Sequence, residues 1–66
     1  MSKDDYRSFF AQCKPYVKLS RFADMAGIHK STLSLFMKGS AYNYCISLDR
    51  LNNMYMLIVT WCDNIA

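Results

Sequence analysis

Apolar positions recur at three- and four-residue spacing in four stretches, separated by short polar or glycine-marked breaks. Tyr6, Phe9, Phe10 and Cys13 predict an amphipathic first helix, with Asp4 and Asp5 complementing its N-terminal dipole and Pro15 ending it. A second, short helix is predicted from about Leu19 to Ala26, closed by Gly27. Its cap is either Ser20, which has the preferred side chain, or Lys18, which lets Val17 staple onto Phe22. A third helix is predicted over roughly Lys30 to Lys38, ended by Gly39 in a position that tolerates positive φ. Ser40 to Ile46 (SAYNYCI) reads as an ordered aromatic loop. Ser47 then caps a last helix from Leu48 to about Cys62, with Asp49 in its first turn. Its inner stripe is Leu48, Leu51, Met54 or Tyr55, Ile58, and Trp61 or Cys62. Val and Ile never alternate with polar residues over a strand length. The expected class is all-α, with four to five helices in one domain over residues 1–66.

Composition narrows the options. Sixty-six residues leave no room for a second core or a dinucleotide-binding fold, yet 53% apolar residues exclude a disordered tail. A chain this short buries only about 60% of its unfolded surface. Its core is therefore marginal without a disulfide, a metal or a partner subunit. Cys13, Cys45 and Cys62 are odd in number, none lies at C-x-x-C spacing, and His29 is the only histidine. No metal or cofactor is expected. Met1 to Asp5 is polar and acidic, unlike a secretory leader, so free thiols in a reducing cytoplasm are expected. The longest apolar run, Met54 to Val59, falls far short of the roughly 18 residues a membrane span needs. A partner subunit remains. Met54 to Cys62 has eight apolar residues in nine, so every face of the last helix is apolar. Tyr55 and Ile58 are expected to face inward, while Met56, Leu57, Val59 and Trp61 pack against a twin in a homodimer.

The segment Leu19-Ser-Arg-Phe-Ala-Asp-Met-Ala-Gly-Ile-His-Lys-Ser-Thr-Leu-Ser-Leu-Phe-Met-Lys-Gly39 carries the functional reading. Physically it is two short helices that cross at close range. Ala23 is small where the second helix must approach, and Gly27 sits at the turn, where a left-handed backbone needs no Cβ. Phe22, Ala26, Ile28, Leu33 and Phe36 provide the shared core. This segment resembles the helix-turn-helix of the lambda-repressor and Cro family of phage and bacterial DNA-binding proteins. Phe36-Met-Lys-Gly39 and Ser47-Leu-Asp-Arg-Leu51 are also similar to that family's next loop and helix. The resemblance implies a lambda-repressor-like domain with a central helix-turn-helix, reading double-stranded DNA through the major groove.

Charge agrees with that reading. Five cations (Lys14, Lys18, Arg21, Lys30, Lys38) and one anion, Asp24, fall between residues 14 and 38, whereas residues 39–66 carry one Arg and two Asp. Lys30, Ser31, Ser34, Leu35 and Lys38 fall on one side of the third helix. The family pattern implies that Lys30, Ser31, Ser34 and Leu35 read bases, Lys30 donating to guanine and Leu35 meeting a thymine methyl. Phosphate contacts are expected from Lys18, Ser20 and Arg21 at the start of the second helix, and from Lys38, Tyr42, Asn43 and Arg50 around the following loop. His29 departs from the family, which often caps this helix with Ser, so a weaker cap is expected. The leading expectation is a dimeric, sequence-specific DNA-binding regulator, a repressor reading a palindromic operator without a small-molecule effector. The alternative is a helix-turn-helix scaffold that binds or inhibits another protein. An enzyme is not expected, because one turn carrying Asp24, His29, Ser31 and Ser34 supplies no cleft, oxyanion donors or lid.

Overall fold

Ser2 opens the first helix with its side chain. In the computed structural model, which describes residues 1–65 and the side chains of residues 1–63, Ser2 Oγ accepts from Asp5 N at 3.2 Å. The Asp5 carboxylate accepts in return from Ser2 N at 2.8 Å, completing a capping box. The helix, α1, spans Lys3–Cys13. It is followed by α2 (Leu19–Met25), α3 (Lys30–Phe36), a 3₁₀ segment (Ser40–Cys45) and α4 (Leu48–Ile65). No strand occurs among the described residues, and the chain is all-α.

The Ser2 hydrogen bonds hold the Asp5 carboxyl below the usual carboxylate range. Because folding lowers this pKa, the cap is at full strength above the ordinary carboxylate value and is lost as the pH falls through the lowered one. Ser2→Ala removes the side-chain half of the box and keeps the Ser2 N–H, so the Asp5 titration midpoint, measured by carbon-13 NMR, is expected to rise only part of the way to the ordinary value. An unmoved midpoint would assign the whole shift to the backbone N–H.

α1 and α4 lie along each other in the same direction. Tyr6 donates its hydroxyl to Asn52 Oδ1 at 3.1 Å, and Tyr55 meets Tyr6 and Phe9 edge-on, with ring centroids 5.8 and 4.8 Å away. Phe10, Leu51, Met54 and Ile58 are buried between these helices and the α2–α3 pair, which adds Phe22, Ala23, Ile28, Leu33 and Phe36 to the same core. Cys13 is half-buried at the end of α1. Burial pushes its thiol up, and Cys62 nearby adds to the shift.

Of the two caps expected for α2, the fold uses Lys18, with no side-chain cap, and Val17 packs against the core. Gly39 has the expected positive φ, 158° with ψ 176°. Other boundaries differ from the sequence expectation. α3 stops at Phe36, short of Lys38. The aromatic stretch is a kinked 3₁₀ helix, with the break at Tyr42. α4 runs on to Ile65, and Ser47 Oγ accepts from Arg50 N at its start. Leu48, expected inside, is 49% exposed, since at about 100° per residue it falls beside the buried stripe of Leu51, Met54 and Ile58 and not within it. Trp61 and Cys62 are likewise exposed. The inner stripe of α4 is Leu51, Met54 and Ile58, with Tyr55 half-buried against α1.

Candidate nucleic-acid interface

The turn between α2 and α3 is a Schellman cap. Ile28 N donates to Ala23 O at 2.7 Å and Gly27 N to Asp24 O at 3.1 Å, while Gly27 takes a left-handed φ of 77°. A side chain at residue 27 would meet open space, so the glycine answers a backbone requirement rather than a packing one. Ala23 is fully buried and Ile28 nearly so; they hold the two helices together through a small side chain and its neighbour beyond the turn. His29 then caps α3 with its ring. Nδ1 accepts from Ser31 N at 3.3 Å and lies 2.7 Å from Ser31 Oγ. The imidazole thus supplies the cap that a Ser would otherwise provide.

Leu33 and Phe36 are buried and define the inner side of α3, so the outer side is set. Lys30, Ser31 and Ser34 are exposed together on it. Leu35 is half-buried at its edge, and Lys38 is exposed in the turn beyond the helix end. Lys18, Ser20 and Arg21 are exposed along the first turn of α2. The fold sorts its cations into two groups. Lys3 donates to Asn43 O at 2.8 Å, Arg7 is tied on three sides, and Arg50 donates to Gly27 O at 2.7 Å. Lys14, Lys18, Arg21, Lys30 and Lys38 make no side-chain hydrogen bond or ion pair among the described residues. No family model, curated protein or solved structure matches this chain. The chemistry on offer is thus a short polar ridge with unpaired cations beside it, able to donate to acceptor groups and to neutralise anions.

Three of the phosphate candidates around the loop are otherwise engaged. Asn43 accepts from Arg7 through Oδ1 and reaches Asp4 through Nδ2, so its amide binds α1. Arg50 fastens α4 to the carbonyl at the α2–α3 turn. Tyr42 is half-buried, its ring tilted 43° against exposed Tyr44. Nor do the four residues expected at a twin interface share one face. Trp61 meets the Phe22 ring edge-on at 5.9 Å, and Leu57 lines the same side of α4. At about 100° per residue, Val59 lies on the far side, near Tyr55 and α1, with Met56 between. Among the described residues no group of three His, Cys, Asp or Glu is placed to hold a metal, and no helix is long and apolar enough to cross a membrane.

Arg7 carries no weight in the sequence pattern, yet it joins three elements. Its Nε donates to Phe36 O at 2.8 Å, its Nη1 reaches Asp4 at 2.5 Å, and its Nη2 donates to Asn43 Oδ1. The guanidinium also sits 4.3 Å from the Phe36 ring centroid. It thereby fixes where α3 ends and where the 3₁₀ segment begins. Its position one turn after the capping box was the only available signal.

Proposed function

We propose that this chain is a lambda-repressor-like helix-turn-helix protein that binds double-stranded DNA in a sequence-specific way and regulates transcription, as a repressor that occupies its operator. The observation that carries this reading is the exposed outer side of α3, where Lys30, Ser31 and Ser34 stand together, with Lys18 and Arg21 on the adjoining α2 and Lys38 beyond the helix end making no side-chain hydrogen bond or ion pair among the described residues. A ridge of short polar side chains on a narrow helix fits the major groove, and unpaired cations on its flanks fit the phosphates that border it.

Roles follow from chemistry. Lys30 donates to guanine O6 and N7. The Ser31 hydroxyl, held beside the His29 ring, reaches a base edge at the start of the helix. Ser34 bonds either kind of base edge, and the exposed part of Leu35 meets a thymine methyl. Lys18, Ser20, Arg21 and Lys38 take phosphates. Two copies paired through the outer edge of α4, at Met56 and Val59, would place two α3 helices about 34 Å apart and read a palindrome.

Selection of bound sequences from a random DNA pool tests the reading, with an enriched palindrome as the expected result. Binding should fall with salt at a log–log slope of about −3 for each copy bound, from Lys18, Arg21 and Lys38, and about −5 for the pair on a palindrome. No enriched sequence, or binding indifferent to salt, rejects the proposal. Lys30→Ala is expected to cost about 1–3 kcal/mol of specific binding and to relax preference at one base position. An equal loss on all sequences would reassign Lys30 to a phosphate.

A further inference from the structure

An apolar groove of about 950 Å³ runs between α2 and α4, outside both the core and the outer side of α3. Phe22 and Met25 form one wall, Leu57 and Trp61 the other, and Lys18 and Arg21 stand on the rim. Met25 is 61% exposed and Trp61 39%, large values for such side chains on a chain this short of core. The rim has a definite sign: among the described residues Lys18 and Arg21 are the only charged ones lining the groove, and neither meets a carboxylate.

We propose that this groove docks an amphipathic helix of a partner protein, one that carries carboxylates beside its apolar stripe. Two helices side by side leave a furrow suited to a third, whose apolar residues at i, i+3 or i+4, and i+7 fill it while its flanking acids answer the rim. A second copy of the chain suits the groove poorly. Its apolar helix has no carboxylate from Arg50 to Cys62, and a two-fold arrangement brings a second Lys18 and Arg21 to face the first. The occupant also covers two residues assigned above to phosphates. Exclusion of DNA by the bound helix rests on that reading; the docking does not.

Trp61, the single tryptophan, reports occupancy. The full chain is used to select from a library of amphipathic helical peptides of about four turns, with a fixed apolar stripe and Glu or Lys at random beside it. Enriched peptides are expected to be rich in Glu and to shift Trp61 emission to shorter wavelength. The double variant Lys18→Glu, Arg21→Glu is expected to bind them about tenfold more weakly, and to prefer the same peptides with Lys in place of Glu. Met25→Gln, which removes apolar wall without changing charge, is expected to weaken them as well and serves if the double variant fails to fold. Absence of enrichment, enrichment without acidic bias, or peptides that leave Trp61 emission unmoved would overturn the proposal. So would a Trp61 shift that grows with protein concentration alone, which gives the groove to a second copy. These measurements contain no DNA, so failure of docking is separate from failure of the DNA-binding reading. Competition between an enriched peptide and selected DNA then tests exclusion.

Discussion

Arg7→Ala is expected to lower stability by about 3 kcal/mol, because it removes a charge-assisted bond to Phe36 O and the cation over the Phe36 ring at once. The bond to Asp4 adds little, since that carboxylate is 63% exposed. A domain of this length has roughly 3–10 kcal/mol in total, so the loss takes a third of it or more. The melting temperature should fall by about 4–8 °C per kcal/mol. Arg7→Lys separates the causes. A lysine keeps a cation near the ring but has no planar fork to reach Phe36, Asp4 and Asn43 together. It is expected to recover less than half of the loss. Full recovery by lysine in thermal unfolding followed by circular dichroism would show that charge alone, and not the fork, joins α1 to the end of α3.

Ala23→Leu is expected to cost about 3 kcal/mol, at the upper end of what an added side chain costs in a packed interior. Ala23 is fully buried, and its carbonyl accepts the Ile28 amide at the turn, so a larger group there must move α2 from α3 or break the cap. The displacement carries α3 with it. The DNA binding proposed for this ridge should therefore be lost at temperatures where circular dichroism still reports helix. Ala23→Gly is the contrast: it removes the Cβ without a clash and costs about 1 kcal/mol of helix propensity. Should the leucine variant melt where the parent does, the close crossing of these helices at residue 23 is wrong.

The α2–α3 elbow was legible because its residues have steric reasons that act locally. Gly27 is left-handed, Ala23 is buried without room, and Ile28, Leu33 and Phe36 keep helical spacing. The capping box of α1 was legible too, in Ser2 and Asp5 three residues apart, although only the acidic first turn was read. α4 shows where periodicity stops. When all faces of a helix are apolar, spacing cannot choose among them, so Leu48 is expected inside and lies outside, and Trp61 is left between the inner stripe and a twin interface. On the candidate interface, Lys30, Ser31 and Ser34 were placed by the helix period alone. The engagement of Asn43 and Arg50 depends on partners 36 and 23 residues away, and no local pattern encodes those. His29 lay between: its ring can accept a backbone proton as a serine does, which residue type by itself does not announce.

α2 and α3 have seven residues each, two turns apiece. Isolated helices shorter than about 12–15 residues do not persist in water, so α2 exists only where α3 and α4 hold it, and α3 only where α2, the 3₁₀ segment and the Arg7 side chain of α1 do. The outer ridge of α3 consequently has no independent lifetime. Amide protons of Leu33 and Phe36 ought to exchange only at the rate at which the whole domain opens, and any lesion deep in the α1–α4 contact will look, in a binding assay, like damage to the ridge itself.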